Sequence, residues 1–171
     1  MESIIWYYSQ SKAFYRQEAT ETKLKQESKF YNIIHIACHG EFDRENPLFS
    51  CLLLAPSADD DGRLMTNEIF GLQLKAYLVT LSACETGLGK IEKGDDIIGL
   101  TRAFITAGAS SIIASLWKIN DVASAVLIKR FYRYLKQNSK IDALRQAQLF
   151  IKQRYKHPAF WASFVLTGDY R

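Results

Sequence analysis

Apolar residues recur along this chain in two rhythms. Tyr31-Asn32-Ile33-Ile34-His35-Ile36-Ala37, Tyr77-Leu78-Val79-Thr80-Leu81-Ser82 and the segment 111–117 are short apolar runs, mostly β-branched, of the kind that marks buried strands. Helical spacing governs residues 97–107, which Gly108 can close at a left-handed position, and a longer stretch after Asp121, where Ala123, Leu127, Phe131 and Leu135 share one face. Ser139-Lys140-Ile141-Asp142 has the form of a capping box for a last helix ending near His157-Pro158, and Thr20 and Thr66 are placed to cap two short helices. Residues 50–55 and 63–65, joined through Asp59-Asp60-Asp61-Gly62, predict a β-hairpin, and 162–166 a final strand. Strands alternating with helices, without internal repeats, predict an α/β sandwich with a mostly parallel sheet in a single domain over 1–171.

Composition and charge narrow the class. At 171 residues, 48% hydrophobic and 23% charged, the chain can bury a core, and it holds no apolar run long enough to span a bilayer. The N-terminal stretch lacks a basic region and a small-residue cleavage site, so a cytoplasmic protein is expected. Cys38, Cys51 and Cys84 form no C-x-x-C pair and are expected to be free thiols. Residues 41–100 carry five Lys/Arg against eleven Asp/Glu, whereas 101–171 carry twelve against three. The basic residues of that tail sit at helix-surface spacing between hydrophobes, which predicts a solvated helix face and no specific nucleic-acid or membrane partner. The acidic residues gather in apparent loops, where charge can shape a binding rim.

Two of the parallel strands end at reactive side chains. Loops at the carboxyl ends of neighbouring parallel strands converge on one crevice, which brings His39 and Cys84 together. An imidazole within hydrogen-bond reach of a thiol can take its proton and later return it to a leaving amine. Gly40, with no β-carbon, lets its N–H approach an oxyanion, and the N–H of Cys84 can be a second donor. A histidine 45 residues upstream of a small-residue-Cys pair follows caspase order. At this level a packed core cysteine and histidine explain the same residues equally well. Glu85, Asp95 and Asp96, close to Cys84 in sequence, can favour a basic residue at the cleavage position.

Rival chemistries fit less well. Gly87-Leu88-Gly89-Lys90-Ile91-Glu92-Lys93-Gly94 has a phosphate-loop spacing, but Asp95-Asp96 stand where Lys and Ser/Thr belong. His35 and His39 have helical zinc-ligand spacing in a strand-like run, where they would lie about 13 Å apart. No metal and no cofactor is expected. His35 is expected to be a packed strand histidine, His157 a helix-end residue, and Trp117, Tyr132 and Trp161 core or hinge aromatics.

Several motifs carry a family resemblance: His35-Ile36-Ala37-Cys38-His39-Gly40, Leu81-Ser82-Ala83-Cys84-Glu85-Thr86-Gly87, Arg102-Ala103-Phe104, Ser115-Leu116-Trp117 with Asp121, Ala143-Leu144-Arg145-Gln146-Ala147-Gln148, and His157-Pro158-Ala159-Phe160-Trp161. In this order they resemble the CHAT domain, a caspase-like family often fused to tetratricopeptide repeats. The resemblance implies a caspase-haemoglobinase three-layer sandwich and a cysteine endopeptidase acting on protein or peptide substrates. His39 is then general base and acid, Cys84 the nucleophile and the Gly40 N–H an oxyanion donor. Family members typically begin with a further strand and helix, for which residues 1–17 leave little room, and Cys38 stands where threonine is more usual. Activation by a protein partner or by sequence missing from the N-terminus is therefore expected, and the alternative function is a non-catalytic caspase-like interaction or regulatory module.

Overall fold

The computed structural model describes residues 2–5, 7–43, 45–82, 84–85, 95–117 and 121–171. In chain order the elements are α1 (Glu2–Ile5), α2 (Glu21–Glu27), β1 (Ile33–Ile36), β2 (His39–Glu41), β3 (Cys51–Leu53), β4 (Arg63–Met65), α3 (Thr66–Phe70), β5 (Leu78–Leu81), β6 (Cys84–Glu85), α4 (Asp95–Thr106), β7 (Ser111–Ser115), α5 (Asp121–Leu135), α6 (Lys140–Arg154) and β8 (Phe164–Gly168). They fall into two units, Phe14–Lys118 with Thr167–Asp169, and Met1–Ala13 with Ile119–Leu166 and Tyr170–Arg171.

The first unit holds the smaller sheet and strands β1, β5 and β7 of the larger. The larger has the order β1-β5-β7-β8. Its β1–β5 and β5–β7 pairings are parallel, with Ile33 opposite Leu78 and Val79 opposite Ile112. Every residue of β5 and β7 is buried, which is why these strands read as unbroken apolar runs rather than as alternation. Ile34, Ile36, Leu52, Leu64, Ile69, Val79, Leu100, Phe104 and Ile112 belong to one core cluster. Just past β8 the Asp169 N–H donates to Ser110 O at 3.0 Å, within this unit.

The smaller sheet has the order β4-β3-β2-β6. The expected hairpin is its antiparallel β3–β4 pair, Leu52 opposite Leu64, and β2 continues it antiparallel to β3. Two positions differ from expectation here. His39 was expected in a loop after the first strand and Cys84 at the tip of the second, but β1 stops at Ile36 and β5 at Leu81. Both residues restart as members of β2 and β6, a strand of three residues and one of two.

Local capping follows the sequence at some ends and not at others. Thr20 Oγ1 accepts the Lys23 N–H at 3.2 Å, as a helix cap should. Thr66 is the first residue of α3 rather than its cap. Its hydroxyl donates to Ser50 O at 2.8 Å, and the Glu68 carboxylate takes the cap's work by accepting the Met65 N–H at 2.9 Å. Gly108 does follow α4 with φ +109.

In the second unit α5 packs on α6 and α1 on α5. Ala123, Leu127 and Phe131 are buried as their spacing predicts, joined by Ile128 and Tyr132, while Leu135 is half-buried. Ser139 caps α6, its hydroxyl oxygen accepting the Asp142 N–H at 3.2 Å. The helix ends at Arg154, short of His157, because His157 instead opens a separate 3-10 turn, its Nδ1 accepting the Ala159 N–H at 3.2 Å.

Candidate active site

The site is built on β2. One edge of this strand pairs antiparallel with β3, placing His39 opposite Leu53, and the other pairs parallel with β6, placing His39 opposite Cys84 and Gly40 opposite Glu85. The two residues expected to meet at a crevice are thus register partners in a ladder, with neighbouring strands about 4.8 Å apart. Exposure alternates along β2, with His39 and Glu41 exposed and Gly40 buried. Leu52, opposite Gly40, is fully buried. His39 and Glu41 therefore share one face of the small sheet, and Gly40 lies on its core face. The side chains of Cys84, Glu85, Asp95 and Asp96 lie outside the description, as does the whole segment 86–94, so for these residues only the backbone register of β6 and the place of Asp95 and Asp96 as the first two residues of α4 are given.

Gly40 has a packing reason to lack a side chain. A β-carbon there would lie 2.9 Å from Cζ and 3.2 Å from Cε2 of Phe42, whose ring covers the position. The residue before the histidine, Cys38, is half-buried, and Cys51 is fully buried. Burial pushes the Cys51 thiol above its ordinary range.

His35 belongs to the large sheet, opposite the fully buried Thr80. Burial lowers its pKa to about 4, so at neutral pH it is an uncharged packed histidine, as expected from its strand. Among the described residues no group of three or more His, Cys, Asp and Glu is placed to hold a metal ion, and no helix is long and apolar enough to cross a membrane.

Beyond His39 lies a shallow, open cleft of about 480 Å³ lined by Glu41, Phe42, Asp43, Glu45, Phe49, Arg63 and Met65. Arg63 donates to Glu41 Oε2 at 2.5 Å, and that bond raises the guanidinium's already high pKa. The loop is pinned by Asp43, whose Oδ1 accepts the Asn46 N–H at 2.9 Å and whose own N–H donates to Ser50 Oγ at 3.0 Å. Sequence proximity to Cys84 points to Glu85, Asp95 and Asp96 rather than to these acids. The signal available was the alternation in His39-Gly40-Glu41, which extends strand spacing past the histidine.

Comparison with known families matches residues 4–169 to the CHAT domain. The chain belongs to the CHAT domain family. Its α/β architecture, with a mostly parallel central sheet, is the caspase-like fold of that family. Two curated relatives, the human and mouse proteins named tetratricopeptide repeat protein 28, are 35% and 32% identical to this CHAT domain over 109 residues. Each match covers 62% of this chain and 4% of the relative, so the chain spans a small part of the length of the curated relatives it matches.

Proposed function

We propose that this CHAT domain is a cysteine endopeptidase in which Cys84 is the nucleophile and His39 the general base and acid. The observation that carries the proposal is the parallel β2–β6 ladder, which sets His39 and Cys84 in register. His39 takes the Cys84 thiol proton, and the thiolate adds to the scissile carbonyl carbon while the carbonyl π pair moves onto oxygen. The N–H groups of Gly40 and Cys84 are the donors for that oxyanion. Collapse breaks the C–N bond, the His39 imidazolium gives its proton to the departing amine, and a thioester remains on Cys84. Water, deprotonated by His39, then releases the carboxylate and restores the thiol. A protein or peptide is the substrate. A partner polypeptide raises the activity by holding the short β6 strand against β2, because a dyad needs its groups within about 3 Å.

The test is covalent labelling with a peptidyl chloromethyl ketone, followed by peptide mapping. Labelling is expected at Cys84, with little at half-buried Cys38 and none at buried Cys51, and is expected to be lost in His39→Ala. Uniform labelling of the three thiols, or unchanged labelling in His39→Ala, would overturn the assignment and favour a non-catalytic caspase-like interaction module. On a broad fluorogenic peptide set, turnover by the isolated chain is expected to be weak and to vanish in Cys84→Ala, with the double variant no worse than either single one.

A further inference from the structure

The face of the small sheet that carries His39 and Glu41 is organised in rows. Residues opposite one another on neighbouring strands share a face of the sheet. The register sets Arg63, Leu53 and His39 in one row, in line with Cys84, and Met65, Cys51 and Glu41 in the next. His39 and Glu41 are both exposed and stand two positions apart on β2, a span of about 7 Å. An extended peptide covers the same distance in two residues. The cleft therefore begins one row, and two substrate residues, away from the candidate dyad.

Its lining suits a long cationic side chain. Three carboxylates, on Glu41, Asp43 and Glu45, face one described guanidinium, that of Arg63. Arg44 lies outside the described residues, and with its charge counted the stretch 41–45 still carries an excess of acid. Phe49 is 57% exposed, and with Phe42 and Met65 it offers apolar surface along which the methylene stem of a lysine or arginine can lie. The Arg63 guanidinium already rests on Glu41, and the side chains of that pair are 43% and 46% exposed. Exposed pairs of this sort are weakly held, so an incoming cation can displace Arg63 from the same carboxylate.

We propose that this cleft is a substrate subsite for a lysine or arginine side chain lying within about two residues of the scissile bond. The proposal rests on the peptidase assignment of His39 and Cys84, and it places selectivity on Glu41, Asp43 and Glu45 rather than on the acids that follow Cys84.

Binding by the Cys84→Ala chain tests it, read as fluorescence anisotropy with two fluorescein-labelled decapeptide pools. One pool has arginine fixed at its centre, the other norleucine, and the remaining positions are mixed. The arginine pool is expected to bind about tenfold more tightly, with the preference shrinking as salt is raised. Glu41→Gln should remove most of that preference. Arg63→Gln should strengthen it about threefold by freeing Glu41, an effect opposite to that of lost structural support. Thermal melts identify which variants are folded, and Glu45→Gln, at an exposed side chain, reports in the same direction as Glu41→Gln if the latter does not fold. Equal affinity for the two pools, no binding of either, or weaker arginine-pool binding by Arg63→Gln overturns the subsite. Chloromethyl ketone labelling of Cys84 without an arginine preference removes the subsite alone, whereas an arginine preference without labelling removes peptidase chemistry alone.

Discussion

Asp60 Oδ2 receives both the backbone N–H of Thr22, at 3.0 Å, and the Thr22 hydroxyl, at 2.5 Å. The same carboxylate accepts the Ser57 hydroxyl at 2.7 Å and, through Oδ1, the Gly62 N–H at 3.2 Å. One side chain thus ties the turn of the β3–β4 hairpin to the start of α2.

These donors, the Thr22 hydroxyl foremost, favour the charged form and hold Asp60 below the ordinary carboxylate range. A depressed folded-state value means that the stabilisation is complete above the unfolded pKa, about 4, and is lost as pH falls below it. Asp60→Asn is expected to lower the melting temperature at pH 7 and to differ progressively less from the parent as pH approaches 3. Thermal melts across that range check this, and a deficit that does not change with pH would rule out the linkage.

His35 gives a second acid-sensitive window at higher pH. Its folded-state pKa of about 4 lies below the value near 6.5 of an exposed histidine, so the unfolded chain takes up the proton first. Stability is complete above about pH 6.5 and declines between about 6.5 and 4, by up to roughly 3 kcal/mol for a gap of this size. His35→Leu should flatten that part of the curve. Urea unfolding at pH 7, 5.5 and 4.5 measures it, and an unchanged slope in the variant would assign the decline to other groups.

Lys25 Nζ bridges Glu21 Oε1 at 2.5 Å and Glu68 Oε1 at 2.8 Å. Glu21 is only 3% exposed, and burial above all raises its pKa, while Glu68 also accepts the N–H of Met65 at the start of α3. For Lys25, burial opposes the charge, but the hydrogen bonds to the two carboxylates outweigh it and its pKa is raised. Lys25→Met should cost about 1–2 kcal/mol, a figure reduced because the lysine is 37% exposed. Adding Glu21→Gln should recover part of the loss, since the buried charge left alone is then gone. Denaturant titration of the single and double variants reads the coupling, and strictly additive losses would show that the three groups do not act together.

Residues whose neighbours in sequence are also their partners in space were legible in advance. Thr20 with Lys23 and Ser139 with Asp142 make their cap bonds within one helical turn, and β5 and β7 are apolar because they are buried along their length. Elements defined by distant partners were not. A strand of two or three residues carries no period of its own, so β2 and β6 exist through their pairing across the sequence. Thr66 lost its expected cap role to a hydrogen bond with Ser50, 16 residues away. His39 and Cys84 were placed together by topology, but the acidic cleft of Glu41, Asp43 and Glu45 arises from how the hairpin folds beside β2.

Gly108 shows how tightly one backbone position can be specified. Its φ of +109 is outside the range L side chains favour, and a β-carbon would lie 2.2 Å from Leu74 O, which belongs to the backbone and cannot step aside. Gly108→Ala is expected to destabilise by about 2–4 kcal/mol. Gly71→Ala, at φ −80 with Glu68 O 3.3 Å away, is the control and should cost under about 1 kcal/mol. Comparable losses from the two substitutions in calorimetry would refute the distinction.

Among the described residues the ladder joining β2 to β6 has two residue pairs, whereas four pairs join β1 to β5 and three join β5 to β7. A seam so short opens at a far smaller free-energy cost than the sheet beside it. Any chemistry that needs His39 and Cys84 in register is therefore expected to fail at a lower temperature than the fold. Gentle heating is expected to silence the pair before the fold melts, and cooling to restore it without refolding. Whatever grips those few backbone groups sets the working temperature of the site independently of the durability of the molecule.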